Sequence, residues 1–188
     1  MDMSRRTINL KTLVAAAVAG IVLALPSWAS EDRLQGLLQD LRKAEPAEAQ
    51  KIERELQLEW SKSGSASMDL LLKRGRDAME TGDLDAAVEH FSALTDHAPD
   101  FAEGWHGRAT AFYRQERFGL ALADLERTLR LNPDNYGALH GLGVILEQLD
   151  QLDLAYEAYS QVLAIHPHHG EVTEALERLE PKVRGKAL

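Results

Sequence analysis

The sequence predicts an all-α protein. It reads as an α-solenoid of three stacked helical hairpins, with a further helical hairpin before them and a capping helix after. Three observations carry this prediction. Pro99, Pro133 and Pro167 recur at a constant interval of 34 residues. Aligned on those prolines, blocks 68–101, 102–135 and 136–169 share a small eighth residue (Gly75, Ala109, Gly143) and an alanine at the twentieth (Ala87, Ala121, Ala155). Large apolar residues recur at the fourth (Leu71, Trp105, Leu139), seventeenth (Leu84, Phe118, Leu152) and twenty-fourth positions (Phe91, Leu125, Tyr159). A fixed period of this length marks units that cannot bury their apolar faces alone and so stack in series.

Each block reads as two antiparallel helices joined near Gly82-Asp83, Glu116-Arg117 and Asp150-Gln151. Two helices approach closely only where a side chain is nearly absent, so positions eight and twenty supply the crossing and the large residues fill the space around it. Proline, lacking a donor and clashing with the preceding turn, ends the second helix. Asp100 and Asp134, one residue later, are expected to cap the first helix of the following block.

These blocks resemble tetratricopeptide repeats, whose 34-residue helix-turn-helix unit carries a Trp/Leu, Gly/Ala, aromatic, Ala and Pro pattern. The resemblance covers residues 68 to 169. It departs at Arg74 and Arg108, where the family usually has leucine (kept at Leu142), and at Leu94 and Thr128, where it usually has alanine, departures expected to blur the packing of the first two blocks slightly without threatening the fold. The resemblance implies a concave groove lined by the first helices at positions two, five, nine and twelve. Carried onto this sequence, that gives Asp69, Leu72, Arg76 and Met79, then Glu103, His106, Thr110 and Tyr113, then Gly137, His140, Val144 and Glu147. The candidate partner-binding residues are Arg76, Met79, Glu103, His106, Thr110, Tyr113, His140, Val144 and Glu147. Tyr113 is the expected anchor, because aromatic side chains dominate binding hot spots. His106 and His140 share position five and read equally as groove contacts or as solvated surface. Some arrays of the family grip a C-terminal carboxylate with lysine and asparagine. Here the corresponding places hold Leu72, Arg76, Gly107, Gly137 and Gly141, so that specificity is not expected.

The flanks also read as helix. Leu34, Leu37, Leu38 and Leu41 follow the i, i+3, i+4, i+7 spacing of an amphipathic helix, Glu45-Pro46 breaks it, and Ala49, Ile52, Leu56 and Trp60 mark a second. Residues 31–62 are expected to form a hairpin covering the open end of the first repeat. The alternative is a short coiled coil giving a homodimer through the same segment. Ser61 to Ser67 reads as a loop, with Ser63-Gly64-Ser65 a turn. Val172, Leu176 and Leu179 predict a capping helix from Glu171 to Glu180, followed by a frayed tail from Pro181.

Arg5, Arg6 and Lys11, the apolar run Thr12–Leu25, then Pro26 and Ser27-Trp28-Ala29 have the order of a cleavable secretory signal, with the cut expected after Ala29. The apolar run is shorter than the roughly twenty residues that span a bilayer. The domain reading is therefore a signal peptide at 1–29, a hairpin and loop at 30–67, repeats at 68–169, and a cap and tail at 170–188. Losing Arg5, Arg6, Lys11 and Asp2 takes the chain from 21 basic and 30 acidic residues to 18 and 29, net −11. Such a charge disfavours nucleic acid and anionic membrane surfaces as partners.

The sequence carries no phosphate loop, dinucleotide fingerprint, zinc-protease helix or nucleophile elbow. It has no cysteine, which removes disulfides and thiolate chemistry. His166, His168 and His169 surround Pro167, and clustered histidines can bind metal. Two of them, however, stand where the preceding repeat has loop residues, Asn132 and Asp134. No metal, cofactor or enzymatic activity is expected. The reading is a periplasmic scaffold or adaptor that binds a partner peptide or helix in its groove. The alternatives are a self-associating envelope protein and, third, a histidine-based metal binder.

Overall fold

Nine helices make up the described residues, 26–185, of the computed structural model. They are α1 Pro26–Lys43, α2 Pro46–Trp60, α3 Ala66–Thr81, α4 Leu84–His97, α5 Ala102–Arg114, α6 Phe118–Leu131, α7 Tyr136–Gln148, α8 Leu152–Ile165 and α9 Gly170–Arg184. Most of the expected leader lies outside the described residues. The chain divides inside α1, between Gly36 and Leu37. The described part of the first unit, 26–36, is helix. The second unit, from Leu37 onward, holds the rest of α1 and the eight helices after it.

Helices α3 and α4, α5 and α6, and α7 and α8 pair as hairpins, and α4 packs on α5, α6 on α7 and α8 on α9. The first helices α3, α5 and α7 also touch in succession, so they share one face of the array. The three alanines at position twenty have no exposed surface. At position eight the tightness can be measured. A Cβ built on Gly75 would lie 2.4 Å from the Phe91 ring, and one on Gly143 would lie 2.5 Å from the Tyr159 ring. The aromatic residue at position twenty-four therefore occupies the volume that glycine leaves free. In the middle repeat the pair is Ala109 with the smaller Leu125, in one buried cluster. Bulk at one position complements its absence at the other, repeat by repeat.

The turns are alike. Gly82, Glu116 and Asp150, each the fifteenth residue of its block, adopt positive φ of 79°, 59° and 57°. The next amide bonds back across the helix end, Asp83 N to Ala78 O, Arg117 N to Phe112 O and Gln151 N to Leu146 O, each at 2.9 Å. This left-handed stop reverses the chain while satisfying carbonyls the helix leaves open. The second helices end two residues before each proline.

Four expectations are corrected. Asp100 and Asp134 do not cap: the capping place is one residue later. There Asn135 Oδ1 accepts from Ala138 N at 2.9 Å, while Phe101 offers no side-chain cap. Asp100 pairs instead with Arg127 and Asp134 with Arg42. The departures at Arg108 and Thr128 do not loosen the packing. Arg108 grips Asp124 with two bonds of 2.7 and 2.9 Å and also donates to Thr95, and Thr128 donates to the Asp124 carbonyl at 2.9 Å. The last helix does not stop at Glu180 but continues through Pro181 to Arg184.

The fourth correction concerns the segment before the repeats. Its contacts reach the loops of the second and third repeats, not only the open end of the first. Arg42 bonds Asp134 at 2.9 Å, the Ala44 carbonyl meets His168 Nε2 at 2.9 Å, Glu53 faces His166 at 3.7 Å and the Trp60 ring lies 5.4 Å from that of Tyr136. Periodicity shows which face of a helix is apolar, not which surface receives it.

The packing gives a paired test. Gly75→Ala should destabilise the chain by about 1–3 kcal/mol, because the buried Phe91 ring must move. Gly119→Ala, in the first turn of α6 with nothing within 4 Å of the added carbon, should stabilise it by about 0.4–1 kcal/mol through the unfolded state. Urea melts shifting in the same direction would contradict the stated role of position eight.

Candidate functional site

The face shared by α3, α5 and α7 carries the candidate residues, and its spine is polar. Glu103, on α5, is buried, and it accepts from Arg76 of α3 at 3.0 Å through one oxygen and from Asn135 at 3.0 Å through the other. His106 Nδ1 stands 3.8 Å from the same carboxylate. Burial opposes the Glu103 charge. The nearby His106 imidazole, the Arg76 charge and the Asn135 amide outweigh it and hold the carboxyl below its ordinary range. Because Asn135 also caps α7, one carboxylate ties together the first helices of all three repeats.

Two cavities open on this face. The larger, about 500 Å³, is lined by Arg76, Met79, Glu103, His106 and Thr110 from the first helices and by Gln57 and Trp60 from α2. The second, about 330 Å³, is lined by His106, Thr110, Tyr113, His140 and Val144. His106 and Thr110 border both. Gly137 keeps them shaped, since a Cβ there would come within 3.0 Å of the His106 ring. The Tyr113 hydroxyl accepts from Gln148 at 2.9 Å and its ring leans on Phe118 at 5.9 Å, which leaves it half-buried and fixed in direction. Glu147 borders a third cavity, where it accepts from Arg178 at 2.9 Å and Tyr159 at 3.3 Å.

Not every expected groove position faces the cavities. Leu72 is core. Asp69 is turned to the preceding loop, where it accepts from the Ser63 amide at 2.8 Å and hydroxyl at 2.6 Å. Glu103 spends its oxygens inside the chain. Sequence reasoning missed Asn135, Tyr136, Gln57 and Trp60. Asn135 had a legible signal, an asparagine directly before a helix. Trp60 had none, because its partner Tyr136 is distant in sequence.

The histidines gather beside this face. His140 lies 5.0 Å and His166 lies 5.5 Å from His169, ring to ring. His166 is buried, its edge turned to Tyr136 and its Nδ1 without a hydrogen-bond partner. Among the described residues no group of three histidine, aspartate or glutamate side chains is placed to hold a metal ion. Burial holds His140 below the usual histidine range, against the pull of Glu171. Burial, with the nearby His140 and His166, does the same to His169, against Glu171 and Glu53.

The comparisons with known proteins fit this geometry. The tetratricopeptide repeat family model matches residues 72–123 and 106–170. The chain belongs to the tetratricopeptide repeat family. A TPR repeat-containing protein of Rhizobium etli is 31% identical over 160 residues, covering 85% of this chain and 78% of that one. Human DnaJ homolog subfamily C member 3 is 30% identical over 126 residues, and the match spans a quarter of its length. Among solved structures, the first TPR of Spaghetti (RPAP3) bound to the HSP90 peptide SRMEEVD superposes with a TM-score of 0.60 at 24% identity, covering 62% of this chain and 93% of that one. MamA superposes at 0.52 and 22% identity, covering 64% and 80%. These likenesses establish the α-solenoid fold.

Two measurements test the site's energetics. Asn135→Ala removes a cap and a buried bond to Glu103, and should cost about 2 kcal/mol in a urea melt. For pH, a histidine whose folded pKa is lowered binds its proton better when unfolded. Stability is therefore full above the ordinary value of 6.5 and falls as pH drops below it. Thermal melts from pH 7.5 to 5.5 should show that fall, and His140→Gln with His169→Gln should flatten it.

Proposed function

We propose that this chain is a non-enzymatic scaffold that binds a segment of another polypeptide along the face of α3, α5 and α7, and that it does so in the bacterial periplasm. The observation that carries the binding reading is the pair of cavities on one face of the array. Their walls mix the rings of Trp60, Phe91, Tyr113 and Tyr136, two imidazoles and aliphatic carbon with few uncommitted charges. This is the composition of a peptide groove: apolar surface for affinity and a few placed polar atoms for orientation. Solved relatives of the fold support it, being bound to HSP90 and HSP70 peptides.

The ligand differs from theirs in chemistry. The places of a carboxylate clamp hold Leu72, Arg76, Gly107, Gly137 and Gly141. The one strong carboxylate partner, Arg76, is engaged by Glu103 and by the Ser61 hydroxyl at 2.9 Å. The groove therefore selects through Tyr113, His106 and the apolar wall at Val144. The periplasmic location rests on the basic, apolar and small-residue order of residues 5–29. Among the described residues no helix is long and apolar enough to cross a membrane.

Tyr113→Ala with His106→Ala should weaken capture of the native partner at least tenfold in a pulldown and leave the circular dichroism unchanged. Undiminished capture refutes the groove assignment. Sequencing the N-terminus of exported protein should find Ser30. Self-association through residues 31–62 is the competing reading, and a concentration-independent monomer in sedimentation is the outcome that removes it. Leu38, Leu41, Ala49 and Leu56 are buried within the chain, while Leu58 of the same segment is 66% exposed.

A further inference from the structure

We propose that α2 is the groove's built-in ligand. The C-terminal half of helix Pro46–Trp60 borders the candidate binding face in cis, and the partner is an amphipathic helix of the same pattern that takes its place. This inference rests on the groove reading and adds to it the kind of ligand and its control.

Glu53, Leu56, Gln57 and Trp60 fall at i, i+3, i+4 and i+7, the anchor pattern of a helix seated in a groove. The structure uses those positions in that way. Glu53 faces His166 at 3.7 Å, Leu56 has no exposed surface, and Gln57 lines the larger cavity beside Tyr136. The Trp60 ring meets Tyr136 at 5.4 Å. Residues from all three repeats border the helix or its exit: Arg76 through Ser61, then Glu103 and His106 across the cavity, then Tyr136 and His166. The half of α2 that runs from the Glu53 carboxylate to the Trp60 ring thus already borders the same face.

The fit is incomplete, and that separates a displaceable ligand from a structural helix. A cleft of about 500 Å³, open to solvent, runs between Gln57 and Trp60 on one side and the first helices on the other. Two of the polar contacts that fasten the end of α1 and the link into α2 lie near the surface. The Arg42–Asp134 pair is 37% and 30% exposed, and the His168 contact with Ala44 is exposed. Surface pairs of this kind hold weakly. The connection is suited to swinging: Ser61–Ser65 is a short non-helical link with Gly64 at φ 80°, held at one end by Asp69. The second cavity, lined by Tyr113, His140 and Val144, stays open beside α2 and offers an incoming helix a first foothold.

The test uses the mature chain, Ser30–Leu188, and a fluorescein-labelled peptide of residues 44–62. Glu53→Ala with Trp60→Ala should free the face, so the variant should bind the peptide at least tenfold more tightly than the unmodified chain does, one peptide per chain. Equal affinity for both chains, or no binding by a variant whose circular dichroism is intact, overturns the proposal. Hydrogen exchange on the unmodified chain gives an independent reading. Amides of 46–60 should exchange at least tenfold faster than those of α5 and α7. Exchange of α2 together with the repeats as one unit would make it a structural helix and overturn the proposal as well. The groove reading fails separately: if Tyr113→Ala with His106→Ala leaves partner capture intact, the groove is not the partner's site, whatever the peptide does.

Discussion

The array depends on how near two helices come where one of them carries almost no side chain. Gly75 and Gly143 leave a volume that a Cβ would already overfill, and the rings of Phe91 and Tyr159 occupy it. The Phe91 ring also lies 2.5 Å from where a Cβ on Gly107 would stand, so one side chain sets the spacing within the first hairpin and its distance from the second. Each hairpin is incomplete without its neighbour, and the face presented by α3, α5 and α7 follows from that dependence.

A second constraint runs along the face itself. Charges taken out of water are tolerated only where every one is answered. The buried carboxylate of Glu103 is answered by Arg76 and Asn135, and that of Asp124 by Arg108. The Glu103 set joins one repeat to the next, and Arg108 reaches back to Thr95 of the first while holding Asp124 of its own. Both sets therefore fix how the hairpins are set against each other, something apolar contact alone leaves loosely specified. The residues most able to seize a charged ligand, Arg76 and Glu103, are committed inside the molecule.

Much of this was legible without coordinates. The 34-residue recurrence of proline and the small residues at positions eight and twenty identified the hairpins, their turns and the family, because helical packing translates directly into spacing along the chain. Position five of the second and third repeats brought His106 and His140 beside the cavities, as the resemblance implied. Other readings failed for local reasons. Asp100 and Asp134 sit one residue too early to cap, a difference of register that composition does not reveal. Leu72 occupies a groove position by number yet turns inward, because a helix face is broader than the strip that lines the cavities.

The sequence by itself determined the solenoid and its repeating helical hairpins, since both follow from contacts between residues less than a repeat apart. Only the tertiary structure decided where α2 goes. Its Trp60 meets Tyr136 and its Glu53 meets His166, across separations of scores to more than a hundred residues, and an apolar stripe specifies that a face must be covered without naming the surface that covers it. The same holds for the gathering of His140, His166 and His169, which the chain's order scatters and the stacking of the last hairpins brings together.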